Sequence, residues 1–364
     1  MKLRNCSLDA FIKQIENRAL YCFGASLMPQ EIIEEYKELY IEKKIVAFID
    51  NSQEKVGTLY KLGDCNIPII SVEEMLHKIS HNDILLITSK YYVQIVDQLN
   101  ELDALIDLEC YIWPAVAPQY KSDKELLQKI KRNEGDGEIP KKIHYFWFGK
   151  GEIPELHQKC IDSWHRMCQD YEIVRWDESN YDVTKNRYML EAYKAKKWGF
   201  VSDYARLDII YHQGGIYLDT DVEVIRPFDD LLGLEGFIGF ESKNLVATGL
   251  GFGAKPGNQC IKKFMDDYEN RKFIKNDGSY DLTTCPVLQT NVLKELGLKL
   301  NNKFQVVDDL VILPTECLAP DNNMIPHITE NTFSIHHFAG SWTSDSQQKL
   351  LDKIRAFSKS IQEM

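Results

Sequence analysis

Short apolar runs alternate with amphipathic stretches through the first third of the chain. Ala19–Phe23 (ALYCF), Lys44–Ile49 (KIVAFI) and Ile84–Thr88 (ILLIT) are continuous runs of strand length, and the first two stop at Gly24 and Asp50. Such runs read as strands covered on both faces. Between them, apolar positions recur at helical spacing. The pattern predicts a helix over Pro29–Glu42, with Pro in the first turn where its missing N–H costs nothing. A second helix follows the S-x-x-E capping box of Ser71 and Glu74, and a third covers Tyr92–Leu102. Strands alternating with helices predict a parallel sheet of βαβ units, a Rossmann-like domain over residues 1–120.

Ser122 and Glu125 repeat the capping-box spacing and predict a helix over Ser122–Arg132. The polar, Gly-containing stretch Asn133–Glu138 then marks a boundary, so residues 121–138 read as helix and linker. Beyond Pro140 the pattern changes. Strands are expected at Ile143–Phe148 and Tyr171–Trp176, and helices at Leu156–Cys168, in the stretch leading to Trp198, and at Ser202–Tyr211. Gly214-Gly215 stops that last helix, and Ile216–Leu218 is a short strand. Further strands are expected at Gly236–Glu241, Gly249–Ala254, Gln305–Leu313 and Thr332–His337. Residues 139–364 therefore read as an α/β domain built on a mixed sheet flanked by helices.

Composition narrows the function. The 364 residues carry 43 Lys and Arg against 55 Asp and Glu, a net charge of −12. No field of that sign draws a chain to nucleic acid or to an anionic lipid surface. No apolar run approaches the ~20 residues of a membrane span, and no signal-peptide core is expected. The nine Cys are scattered without a C-x-x-C pair, which points to reduced thiols in a reducing, cytoplasmic compartment. In the first domain, Gly24 is the one glycine of a G-x-G-x-x-G fingerprint, and Asp50 stands where a ribose-binding acid would. The expectation is a docking or positioning domain, with a nucleotide pocket as the weaker alternative.

The candidate chemistry lies in the second domain. Asp219-Thr220-Asp221 follows a short strand, and two carboxylates at a strand's carboxyl end can share a hard cation such as Mn²⁺ or Mg²⁺. Asp203, Arg206 and Ile210 stand at i, i+3 and i+7 of the preceding helix, so an acid and a guanidinium share a face. Trp147, between Phe146 and Phe148, can stack on a nucleobase. His336 and His337 alternate across a strand, so one of them can reach a metal. The Gly-rich stretch Glu241–Gly257 suggests close approach of backbone to a ligand, with Thr248 and Gly251 near it. Thr283–Asn291 is expected on the acceptor side.

Together, IPKKIHYFWFG, YEIVRW, FVSDYARLDIIYHQGGIYLDTDVEV and IHHFAGSW resemble glycosyltransferase family 32, the DXD-containing, retaining sugar transferases of the GT-A fold. The resemblance covers about residues 139–345. It implies Trp147 on the donor's base, Asp203 and Arg206 on sugar hydroxyls, and Tyr217 lining the donor pocket. It implies Asp219 and Asp221 at the metal and ribose. His336 (or His337, one register on), Ser341 and Trp342 would close over the diphosphate. The implied donor is a UDP-sugar, with GDP-mannose as an alternative, and the implied metal is Mn²⁺ or Mg²⁺. The implied reaction is retaining transfer by front-face attack, without a covalent nucleophile. The expected acceptor is a glycan or polyprenyl-linked intermediate of bacterial capsule or lipopolysaccharide synthesis, reached peripherally at the inner membrane face. The other readings are a non-catalytic sugar-nucleotide sensor or scaffold, a toxin-like protein glycosyltransferase, and an oxidoreductase run by the first domain.

Overall fold

The computed structural model describes all residues except 119–120, 323–324 and 341–344. The chain forms two units. The first comprises Met1–Lys121 with Asn322–His327 and Lys349–Met364, and the second comprises Ser122–Asp321 with Ile328–Gln348. The last part of the chain thus returns to the first unit, where the sequence boundary of 139–364 kept it with the second.

In the first unit, seven strands form one sheet: β1 (Lys2–Arg4), β2 (Leu20–Phe23), β3 (Ile45–Ile49), β4 (Leu59–Leu62), β5 (Cys65–Ile70), β6 (Ile84–Ile87) and β7 (Glu109–Ile112). Their order is β1-β7-β6-β2-β3-β5-β4. All neighbours are parallel except β4 and β5. Successive residues of β2 enter opposite cores, Leu20 and Cys22 in one and Tyr21 and Phe23 in the other, as a sheet covered on both faces requires. The capping box of Ser71 and Glu74 is formed. The helix predicted over Pro29–Glu42 is shorter. It runs Leu27–Glu35 and breaks into two 3₁₀ turns around Tyr40, which takes a left-handed φ of 49°. No Gly or Pro stands between Gln30 and Lys44 to signal that break.

Asp50 serves this unit as a turn anchor. Its carboxylate accepts from the Ala25 N–H at 3.1 Å, the Ser52 N–H at 2.9 Å and Lys55 at 3.0 Å. A phosphate docking after β2 would need the Ala25 N–H, and Asp50 already holds it.

The second unit is built on another seven-stranded sheet: β8 (Lys142–Phe146), β9 (Glu172–Trp176), β10 (Gly215–Tyr217), β12 (Gly236–Ser242), β13 (Leu245–Ala254), β14 (Gln305–Val307) and β15 (Leu310–Leu313). The order is β14-β15-β12-β13-β10-β8-β9, and the strand β11 (Val222–Val224) pairs instead with Ser334–His336. The sheet is mixed. β10, β8 and β9 run parallel, while β13 lies antiparallel to both β10 and β12. Two expectations fail locally. Gln305–Leu313 is a hairpin turning at Asp308 (φ 55°), not one strand. The second capping box does not form: the helix is Leu126–Lys131, and the Ser122 hydroxyl donates to the buried Glu316 carboxylate at 2.8 Å. Glu316 also accepts from the Asp123 N–H, Thr329 and Asn331, which fixes the start of the unit against its interior.

His144 on β8 is fully buried. The Trp176 indole donates to Nδ1 at 3.1 Å, so Nε2 carries the proton and donates to the Gly214 carbonyl at 3.1 Å. Burial pushes the imidazole down to about 4. As pH falls from 6.5 toward 4, the unfolded chain takes up a proton that the folded chain refuses. We expect His144 to remove up to about 3 kcal/mol of stability across that window. Urea unfolding at stepped pH should show a shallower pH dependence for His144→Asn, and an unchanged slope would contradict this.

Among the described residues, no helix is long and apolar enough to cross a membrane.

Candidate functional site

The helix Trp198–Gln213 is buried all round, every residue from Phe200 to Ile210 included. It therefore carries its polar side chains inside the unit, where they need partners. Arg206 donates through Nε to the Ser202 carbonyl at 3.0 Å. Its Nη2 donates to Asp203 Oδ1 at 3.0 Å and lies 3.4 Å from Asp219 Oδ1. The guanidinium lies over the Tyr217 ring, 4.8 Å from its centroid. Nη1 is buried and meets no acceptor among the described residues. Burial raises the Asp203 carboxyl to about 6, opposed by Arg206 and reinforced by Asp219. The Asp203–Arg206 pair is thus an interior pair and not the decoration of a solvated face.

β10 delivers the next residues. Tyr217 is fully buried, and its hydroxyl donates to Asp219 Oδ1 at 2.7 Å. The chain then leaves the sheet through Asp219-Thr220-Asp221 and enters β11. Because β11 pairs antiparallel with Ser334–His336, Val222 lies opposite His336. That register sets His336 Nε2 3.2 Å from Asp221 Oδ1. Asp221 Oδ2 accepts from the Ala339 N–H at 2.8 Å, and its carbonyl accepts from the His337 N–H at 3.0 Å. Burial works to raise the Asp221 carboxyl, but the His336 charge and hydrogen bonds outweigh it and hold the group below the usual carboxylate range. Burial likewise works to lower His336, and Asp221, with help from Asp219 and Glu241, raises it to about 9.

Asp219, Asp221 and His336 each offer a ligand atom, all within 4.8 Å of one another. Two carboxylate oxygens and one imidazole nitrogen suit Mn²⁺ and are compatible with Mg²⁺. His337 is not in that group. Its ring Nε2 lies 2.9 Å from the Glu223 carboxylate. A second set of potential ligands, Cys260, Asp308 and Asp309, serves structure: Asp309 accepts the first N–H groups of the helix Gln259–Glu269, and Asp308 pairs with Lys263.

Trp147 follows the end of β8 and is half-buried. Its indole donates to the Gly151 carbonyl at 2.8 Å, and its ring meets His157 edge-on at 5.6 Å. His157 Nδ1 lies 2.7 Å from the Thr220 hydroxyl, so the aromatic is tied to the turn between the two acids. Thr248 is fully buried, with its hydroxyl accepting from the Gln289 amide at 2.8 Å. The neighbouring Gly249 is the residue that matters, since a Cβ there would lie 2.6 Å from Asp219 Oδ2 and 3.4 Å from Arg206 Nη1. Ser341 and Trp342 lie outside the described residues. Two further side chains belong to the stretches Glu241–Gly257 and Thr283–Asn291 but were not singled out within them. Cys285, opening the helix Cys285–Glu295, is electrostatically coupled to Asp203 and Arg206, and Glu241 to His336 and Asp219.

Gly249→Ala tests that crowding. The added methyl must displace the Asp219 carboxylate, so turnover should fall about 10²-fold, as for loss of one positioned polar group. Urea unfolding should show a loss within the 1–3 kcal/mol typical of overpacking. Unchanged kcat/KM would contradict the close approach.

Residues 154–238 match the sequence family described as a glycosyltransferase sugar-binding region containing a DXD motif. The chain is also similar to several characterised proteins. Subversion of eukaryotic traffic protein A of Legionella pneumophila is 25% identical over 259 residues, 55% of this chain and 39% of that protein. The human alpha-1,4-N-acetylglucosaminyltransferase is 33% identical over 136 residues, 36% of each chain. Inositol phosphoceramide mannosyltransferase 3 of Schizosaccharomyces pombe is 35% identical over 125 residues, 31% of this chain and 34% of that protein. The chain thus spans about a third to two fifths of the length of these relatives. The matched residues 154–238 take in the helix of Asp203 and Arg206 and the acids Asp219 and Asp221.

Proposed function

We propose that this chain, with a DXD glycosyltransferase region at its centre, is a metal-dependent retaining glycosyltransferase. It moves a sugar from a nucleotide diphosphate sugar, by preference a UDP-sugar, to a hydroxyl of a glycan or lipid-linked acceptor. The observation that carries the reading is the convergence of Asp219, Asp221 and His336 beside the buried Arg206. Those three side chains would hold Mn²⁺ or Mg²⁺, which when bound supplies Lewis-acid neutralisation of the departing diphosphate.

The chain's own residues account for the rest. Trp147, held by Gly151 and His157, presents a face for the base. Arg206 keeps one N–H pair uncommitted in a dry interior, where a hydrogen bond to a sugar or phosphate oxygen is strong. Asp203 accepts from sugar hydroxyls. In the transfer, the bond from the anomeric carbon to the phosphate oxygen breaks and a bond to the acceptor oxygen forms on the same face. The acceptor's proton passes to the leaving phosphate oxygen. Polysaccharide assembly at the cytoplasmic membrane face is the setting that fits a lipid-linked acceptor. A protein acceptor is the second reading, favoured by the similarity to a protein named for subversion of eukaryotic traffic.

The test is nucleotide release from a donor panel that includes UDP-glucose, UDP-galactose, their N-acetyl forms and GDP-mannose, with Mn²⁺ or chelator. Metal-dependent release from one donor is expected. Absence of both release and binding for every donor would refute the reading.

A further inference from the structure

We propose that Glu241 holds a hydroxyl of the transferred sugar and so sets which sugar epimer the site accepts. The proposal rests on the donor-site reading above and extends it to a residue outside the DXD turn and its helix. Glu241 stands near the end of β12, where the pairing with β13 shifts register between Phe240 and Ser242. The shift frees that position from the regular ladder. Its side chain goes inward: Oε2 is buried and meets no donor among the described residues. A buried carboxylate oxygen without a donor costs free energy in the folded chain and gains whatever ligand supplies one.

The surroundings say which ligand chemistry fits. Arg206 Nη1 is buried and unpartnered in the same way, so the cluster offers one open donor and one open acceptor. β10 and β12 lie on either side of β13 and both run antiparallel to it, so Asp219, just past the end of β10, and Glu241, near the end of β12, stand at the same edge of the sheet. Glu241 stands at the edge that also carries the Asp219 and Asp221 carboxylates, so a further anionic group on the ligand would meet like charge there. A neutral polyol suits both open groups, giving a hydroxyl proton to Glu241 and a lone pair to Arg206. Glu241 does not belong to the group of ligand atoms that converges on the metal position. A sugar hydroxyl can supply the proton that Oε2 lacks, and a carboxylate fixed on a strand can tell an equatorial hydroxyl from an axial one.

The experiment compares the full chain with Glu241→Gln and Glu241→Ala in Mn²⁺, measuring calorimetric affinity for UDP and GDP alone and for the donor panel. Both variants should bind the free nucleotide within about 2-fold of the parent, which also reports an intact fold. Affinity for the preferred nucleotide sugar should fall about 10-fold or more, and discrimination between UDP-glucose and UDP-galactose should shrink toward unity. Equal weakening of free nucleotide and nucleotide sugar, or no weakening of either, would overturn the proposal. So would a loss of affinity for Mn²⁺ alone, which would make Glu241 a support of the metal position. If the parent chain binds no nucleotide or nucleotide sugar, the donor-site reading itself falls and this inference falls with it.

Discussion

Asp221→Ala is expected to lower donor turnover by roughly 10³-fold, the scale of several kcal/mol of lost charge stabilisation at the leaving group. Asp221 is the most committed member of the acid pair. One carboxylate oxygen lies against His336 Nε2 and the other accepts the Ala339 N–H, while its carbonyl takes the His337 N–H. Its removal deletes one of three converging ligand atoms and unhooks the chain at Ala339 together. The two effects separate by substitution. Asp221→Asn keeps an oxygen for the Ala339 N–H but removes the negative charge. If the charge matters for chemistry, Asp221→Asn should lose nearly as much turnover as Asp221→Ala and retain more stability. Turnover at saturating donor and urea midpoints measure both, and an active Asp221→Asn would reduce Asp221 to a strut.

Arg206 carries the second large effect. It is the cation between Asp203 and Asp219 in an interior where its exposure is 3%. Arg206→Ala leaves the buried Asp203 carboxylate without its cation and facing the partly exposed Asp219, and should cost about 3–5 kcal/mol of stability. Arg206→Lys restores the charge but not the planar fork, which reaches the Ser202 carbonyl, Asp203 and Asp219 while stacking on Tyr217. It should recover most of the stability yet lose about 10²–10³-fold in kcat/KM. Full activity in Arg206→Lys would show that only the charge is used.

The parts of this site that were legible in the sequence are those encoded locally. Asp203 and Arg206 share a helix, and the acids follow a strand closed by Gly214-Gly215, so spacing alone brings each pair together. The pairing of β11 with Ser334–His336 was not legible, since more than a hundred residues separate the strands and only the register decides between His336 and His337. The sequence did not single out Gly249 as the close approach to Asp219, nor the bond between Thr248 and Gln289, because both join segments far apart in the chain. Glu241 opens the Gly-rich stretch that was expected near a ligand, but its own carboxylate gave no signal, because an acid at a strand end looks like a solvated edge until burial is seen. The fold shows the same division. Buried strands such as Ile84–Ile87 were plain from their apolar runs. The break at Tyr36–Tyr40 carries no Gly or Pro. The helix Asp345–Gln362, most of which returns to the first unit, has no signal beyond its own amphipathic period.

On the proposed function, Asp219, Asp221 and His336 form one cation site serving a nucleotide diphosphate. The most direct test follows free Mn²⁺ by electron paramagnetic resonance as protein is added, with UDP and without, for the parent chain, Asp221→Ala and His336→Ala. One Mn²⁺ should bind per parent chain, held more tightly with UDP, with a marked loss of that binding in both variants. Equal Mn²⁺ binding by parent and variants, or none by the parent with UDP present, would contradict it.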